Sequence, residues 1–460
     1  MLAVLITALL LSWIFLGVSA LHTIQSGNVP IIITSVLLAV TAALVWLVGK
    51  YLTSFRKIGS AVAALLVILA ITEATWALSA PQQALFLARD IAWDGAGTWD
   101  YTKYPQGTIA NPLTSSPLTA NPSPQLFETI SYESNGQAKE ASFDEFLNST
   151  RTTSFIVVKN DSVLLESYAN GFSRDSIITS FSTAKSFTSA LVGIAIDEGY
   201  IKSVNDLMVD YLPELRGKGF DSVTVKDLLT MSAGIKYTHQ RDQSSLMRML
   251  PFNDDTLTTC YPDFRSMGLS IKPDGTEPGT VFEYNTYPPI LLGMILERTT
   301  HQSVSEYLQE KIWKPIGMEY PASWSLDSVE SGFEQMAIGI NARAIDYAKF
   351  GLLLLNEGNW NGRQIISSNW VTESTSPDPA DNRTWKQAGD WKSTGGYYKY
   401  FWWGLRMSDG SYAYTAIGGN RQQWIFVSPE DQVVIFRSGL SDGGVDWWPG
   451  VFENIIAKSK

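Results

Sequence analysis

The rhythm of apolar and polar positions changes twice along the chain. The first eighty residues hold three nearly unbroken apolar runs, at 2–20, 29–48 and 58–78. Each has about the 20 residues that a helix needs to cross a bilayer, so three transmembrane helices are expected within a membrane anchor over 1–80. The stretch YPQGTIANPLTSSPLTANPSPQ, residues 104–125, is dense in Pro, Ser, Thr and Asn and has little to pack. It reads as extended or surface-hugging, and 81–130 is expected to be an extended linker. A folded domain is then expected over 131–460. It opens with SFIVVKNDSVLLESY, two β-rich runs around Asn160-Asp161, the pattern of a hairpin. Helical spacing dominates from Ser182 to Gly358, with TTHQSVSEYLQEKIWKPIG the plainest amphipathic case. Strand patterns return in YAYTAIGG, QQWIFVSP and DQVVIFRSG. Strands, a helical block and strands again predict an α+β fold. One antiparallel sheet takes its halves from both ends of the domain, with helices packed on it and a mainly helical region beside it.

Charge adds a direction to the anchor. The loop between the second and third apolar runs holds Lys50, Arg56 and Lys57, whereas residues 21–28 hold no Lys or Arg. The positive-inside rule puts the basic loop in the cytoplasm, so everything after Ala80 is expected to face the periplasm or cell exterior. Val18-Ser19-Ala20 has the look of a signal-peptidase site but lacks a basic region before it, and an uncleaved first helix is expected. Net charge is −11 with no run of Lys or Arg, which argues against nucleic acid as a partner.

Composition narrows the chemistry. Cys260 is the single cysteine, so no intrachain disulfide forms, and it reads as a small buried hydrophobe. His22, His239 and His301 are the only histidines, and none has a metal-ligand partner at a recognisable spacing. No metal and no cofactor is expected. A G-x-S-x-G elbow is missing, and a Ser-His-Asp triad is not expected.

What remains is TSFSTAKSFTSALVG, residues 179–193. Phe187, Ala190, Leu191 and Ile194 form the apolar face of a helix, yet Lys185 stands in its first turn, where acidic residues are preferred. Ser182 and Lys185, three apart, share a helical face. A lysine whose pKa is lowered by burial and by the positive helix terminus can take the serine's proton. The bland alternative is a helix cap followed by a snorkelling lysine. Ser54-Phe55-Arg56-Lys57 has the same spacing by accident, which shows how weak the motif is alone.

Two later stretches give it context: PGTVFEYNTYPPILLGMILE (278–297) and AIGGNRQQWIFVSPEDQVVIF (416–436). With FSTAKS they resemble the three signature blocks of the serine β-lactamase and DD-peptidase superfamily. The nearer likeness is to its class C-type branch, with esterases and 6-aminohexanoate-dimer hydrolases. VTVKDLLTMSAGI, AIGINARAIDYAKFGLLLLNEGNWNG and YFWWGL agree in order and spacing, and the resemblance spans roughly residues 142–457. It implies a β-lactamase/transpeptidase-like fold. It also implies that Ser182 is the nucleophile, Lys185 its base and Tyr284 a proton-transfer group. Gly418 matches the glycine of the third-block strand, and the backbone N–H groups of Ser182 and Gly419 match the oxyanion hole.

The departures concern substrate. Thr286 stands where the family has asparagine, with Asn285 a substitute only if the turn is shifted. Ala416 replaces the third block's cationic residue and Ile417 follows it, so the usual hold on a substrate carboxylate is missing. Arg421 is either a nearby replacement charge or a surface arginine. The aromatic run GGYYKYFWWGL, residues 395–405, reads as core, with one or two rings available to line a cleft. The combined expectation is a membrane-anchored serine hydrolase acting on a small amide or ester through an acyl-enzyme. A DD-peptidase or β-lactamase, or a catalytically silent receptor, is the alternative.

Overall fold

A computed structural model describes residues 81–93, 97–239, 253–386 and 389–460. The three apolar runs lie outside the described residues. Among the described residues, no helix is long and apolar enough to cross a membrane.

The main sheet draws on both ends of the domain. Its strands are β1 (Thr119–Ala120), β2 (Thr152–Lys159), β3 (Ser162–Tyr168), β4 (Tyr397–Lys399), β5 (Trp402–Arg406), β6 (Tyr412–Gly418), β7 (Gln423–Ser428) and β8 (Val433–Gly439). They lie in the order β4-β5-β6-β7-β8-β2-β3-β1. All pairings are antiparallel except that of β1 with β3. The expected hairpin is β2–β3, and Asn160 and Asp161 turn it with φ of 47° and 61°, the left-handed pair that tight hairpins favour. β7 and β8 are buried along their whole length because helices cover both faces.

Among the helices of the described residues, these bear on the site and its sheet: α1 (Pro81–Trp93), α2 (Ala184–Asp197), α3 (Asp254–Cys260), α4 (Tyr287–Thr300), α5 (Ala344–Leu355) and α6 (Trp448–Ser459). α5 lies on the face shown by Ile425, Val427, Val434 and Phe436. A Cβ on Gly351 would come within 2.8 Å of both Val434 and Ile425, so glycine permits this close approach. α6 covers the other face, where Phe452 packs against Phe155, Trp424 and Phe426. α2 is buried on nearly all sides, between α4 and the α5 layer; Phe187 stacks on Phe350 at 3.7 Å between ring centroids.

Residues 81–130 are not simply a linker. They supply helix α1, the strand Gln106–Ile109 and β1. Gln106–Ile109 pairs with Ala322–Ser325 in a second sheet that also holds Ile340–Ala342 and Ile178–Thr179. The Pro- and Ser-rich composition signalled extended backbone, but unpaired strand edges on the domain give that backbone hydrogen-bond partners.

Candidate active site

The nucleophile candidate sits on a strained turn. Ser182 belongs to the short 3₁₀ turn Phe181–Thr183 that feeds α2, and Phe181 before it takes φ of 46°. A bulky residue in the left-handed region costs on the order of 1–3 kcal/mol and persists only where surroundings enforce it. Here Ser180 does so: its N–H donates to Ile340 O (2.6 Å), its hydroxyl donates to Ile338 O (3.1 Å), and its Oγ accepts from Ile340 N–H (3.0 Å). β7 holds the turn from below. Gln423 Oε1 accepts from the Thr183 hydroxyl at 2.8 Å, and Gln423 Nε2 donates to Thr179 O at 3.4 Å.

Lys185 reaches back along the same face. Its Nζ donates to Ser182 Oγ at 2.9 Å and to Ala337 O at 3.1 Å. Only 2 % of the residue is exposed. Burial pulls its pKa down to about 7, against the opposing pull of the Asp255 carboxylate. Desolvation, and not the helix terminus expected to share in it, is the dominant cause. Tyr284 completes the group. Its hydroxyl is electrostatically coupled to Ser182, and Lys185 Nζ lies 5.0 Å from its ring centroid. Burial raises the phenol to about 12, so near neutral pH it stays protonated.

The third block closes the other side. A Cβ on Gly418 would lie 2.5 Å from Ser180 O and 3.2 Å from Ser182 N, which shows how closely β6 passes the nucleophile's backbone. Gly419 follows with φ of 58°, tight against the Phe181 ring. The Ser182 and Gly419 segments therefore meet at the end of β6, the arrangement a two-donor oxyanion hole requires.

The substrate-side expectations fare unequally. Ala416 is buried and pairs with Ile425, while Ile417 is half-buried and pairs with Trp424; neither brings charge. Thr286 caps α4 without a side-chain bond to the helix, and its Oγ1 lies 3.3 Å from the Tyr237 hydroxyl. Asn285 is not a substitute for the missing asparagine. Its Oδ1 accepts from Tyr287 N–H and its Nδ2 donates to Glu283 O, so it is spent on the local turn. Arg421 turns away to donate to Asp446 O at 3.4 Å, and nothing joins it to the Ser182 group. Of the aromatic run, Trp403 is the half-buried ring at the site, 5.5 Å from Tyr284, while Trp402 points to the other face and packs on Tyr414.

Sequence reasoning missed Tyr237, Asp255 and Gln423. The Tyr237 hydroxyl donates to Asp255 Oδ1 at 2.9 Å, and His239 Nδ1 is 3.6 Å from the same oxygen. Tyr237 stands two residues beyond the VTVKDLLTMSAGI block, a position that offered a hint. Asp255 in DDTLTT reads only as a helix start, and Gln423 as one more strand residue.

A family model described as Beta-lactamase matches residues 140–438, well over half of the chain. The 6-aminohexanoate-dimer hydrolase of Paenarthrobacter ureafaciens is 25 % identical over 328 residues, 68 % of this chain and 79 % of that protein. Among solved structures, a candidate 6-aminohexanoate-dimer hydrolase from Bacillus anthracis superposes with a TM-score of 0.64 at 23 % identity. It covers 78 % of this chain and 92 % of its own. A candidate beta-lactamase from Bacteroides dorei DSM 17855 gives 0.56 at 20 % identity, over 69 % of this chain and 96 % of its own. Both structures are likenesses of fold.

Proposed function

Because this chain belongs to the beta-lactamase family, with its serine-hydrolase-type fold, we propose that it hydrolyses a small amide or ester through an acyl-enzyme on Ser182. The observation that carries the proposal is the buried Lys185 Nζ, 2.9 Å from Ser182 Oγ and titrating at about 7. In its neutral form it accepts the Ser182 proton as Oγ bonds to the substrate carbonyl carbon. The carbonyl oxygen becomes an oxyanion facing the N–H groups of Ser182 and Gly419. Lys185 hands that proton on through Tyr284, which protonates the leaving nitrogen or oxygen as that bond breaks, so the amine is neutral again. Water then attacks the acyl carbon and gives its proton to Lys185, and Ser182 Oγ takes that proton back as its bond to the acyl carbon breaks and the acid leaves.

The cleft favours an uncharged acyl group. A carboxylate entering beside Ala416 and Ile417 loses water and gains no cation there, which is costly. Trp403 adds apolar surface beside Tyr284. The 6-aminohexanoate-dimer hydrolase of Paenarthrobacter ureafaciens supports an amide as one kind of bond cleaved. The apolar runs of 1–80 are read as an anchor, with Lys50, Arg56 and Lys57 in the cytoplasm and the catalytic domain outside.

A fluorophosphonate probe should label Ser182 and leave Ser182→Ala unlabelled. The same purified protein should turn over a short-chain p-nitrophenyl ester with higher kcat/KM than a chromogenic cephalosporin. Labelling at Ser180 or Ser186 would overturn the nucleophile. Equal or better turnover of the cephalosporin would move the assignment to a β-lactamase or DD-peptidase. No labelling and no turnover would leave a binding protein.

A further inference from the structure

Besides Ser182 and the Tyr284 ring, Lys185 takes its environment from two further segments outside its own helix. One is α3, which carries Asp255. The other is the loop from Asp327 to Gly339, which supplies the Ala337 carbonyl. Neither is next to Lys185 in sequence, and each needs an anchor.

Both anchors meet at Arg89 in α1. Its guanidinium is buried, with 1 % of the residue exposed. Nη1 donates to Cys260 O at the end of α3 (3.3 Å) and to Asp327 O at the start of the loop (2.6 Å). A guanidinium taken out of water is expensive unless carbonyls or carboxylates receive its protons, so this contact is a specific one. The neighbouring groups reinforce it. Phe86 of α1 joins Tyr104 and Cys260 in a small apolar cluster separate from the main core. Gln82 bonds to the Tyr261 hydroxyl and to Asp263 just past α3. The Tyr104 hydroxyl donates to Thr259 O at 2.9 Å. Asp327 itself accepts from the N–H groups of Phe264, Ser328 and Phe333, which ties the chain beyond α3 to the same loop.

The far end of α3 faces the catalytic group. Asp254 Oδ1 accepts at 2.6 Å from the hydroxyl of Tyr287, the residue after Thr286, and Asp255 Oδ1 accepts at 2.9 Å from the Tyr237 hydroxyl, which lies 3.3 Å from Thr286 Oγ1. α1 begins at Pro81, immediately after the apolar runs.

We propose that Arg89 is a positioning residue: from α1 it clamps α3 to the 327–339 loop, and so holds the two groups, Asp255 and the Ala337 carbonyl, that Lys185 works against. The segment leading from the N-terminal apolar runs is thereby part of the active site's support. This rests on Lys185 being the base, and the test separates the two claims.

The full-length protein and Arg89→Met are compared, with active sites counted by fluorophosphonate labelling. Per labelled site, Arg89→Met should lose about tenfold in kcat with KM within about twofold, and the acid limb of kcat/KM should move by about half a pH unit or more. Arg89→Lys, which keeps a cation for one carbonyl, should recover part of the loss. Amide hydrogen exchange should quicken together in 254–260 and 327–337. If Arg89→Met does not fold, Phe86→Ala, which loosens α1 and keeps the arginine, should show the same changes in weaker form. A merely structural arginine would lower the melting temperature and the labelled fraction while leaving kcat and the acid limb per site unchanged; that result overturns the proposal. Exchange that quickens in only one segment overturns it too. Should the wild-type protein fail to label at all, the hydrolase reading falls and the exchange measurement alone decides the clamp.

Discussion

Replacing Lys185 by arginine separates a base from a mere positive charge. Arginine can still donate to Ala337 O and Ser182 Oγ, and it keeps the cation beside the Tyr284 ring. It cannot give up its proton near neutrality. With Lys185 at about 7, about half of the wild-type sites hold a neutral amine at pH 7. A guanidinium, which holds its proton far above neutrality, would be neutral in about one site in a million, which sets a ceiling on the loss of roughly 10⁵–10⁶, or about 7–8 kcal/mol in barrier. The oxyanion hole and water provide a floor, and removing a general base typically costs about 10²–10⁴. A loss of at least about 10³ in acylation is expected. The assay is the p-nitrophenol burst from a short-chain ester between pH 5 and 9. The wild-type kcat/KM should rise about tenfold per pH unit and level off above about 7, because the unprotonated lysine is the active form. In Lys185→Arg the levelling should vanish. Acylation within about tenfold of wild type, with the same limb, would refute Lys185 as base and leave orientation as its role.

Three further outcomes follow from the same geometry. Gly418→Ala puts a methyl against the backbone at Ser180 O and Ser182 N; the melting temperature should fall and kcat per labelled site should drop about 10²–10³, and near-normal turnover would remove β6 from the oxyanion hole. Asp255→Asn removes the charge that raises the Lys185 pKa, so the acid limb should move to lower pH. Because Asp255 is partly exposed, the difference should shrink in high salt, and a shift to higher pH would contradict the assignment. Alkaline phosphatase fused after Ala80 should be active and fused after Arg56 inactive; the reverse pattern would invert the topology.

Patterns that act over a few residues were legible in the sequence. The β2–β3 hairpin follows from two β-rich runs around Asn160-Asp161, and the Ser182–Lys185 pairing follows from a spacing that helical geometry turns into a shared face. Tyr284 and the Gly418-Gly419 strand end came from the ordered blocks that resemble the family. What tertiary structure alone decided is the state of those groups. Lys185 titrates at about 7 because the folded chain buries it, and neither the Ala337 carbonyl nor Asp255, which bear on it, is adjacent in the chain. Asp255, Tyr237, Gln423 and Arg89 act across separations of dozens to hundreds of residues, so no local period marks them. Arg421 and Asn285 were ambiguous for the same reason: each carries suitable polar atoms, and only the folded chain shows those atoms already committed to Asp446 and to the turn before α4. Spacing specifies which side chains share a face, whereas desolvation and long-range hydrogen bonds exist only once the chain has folded around them.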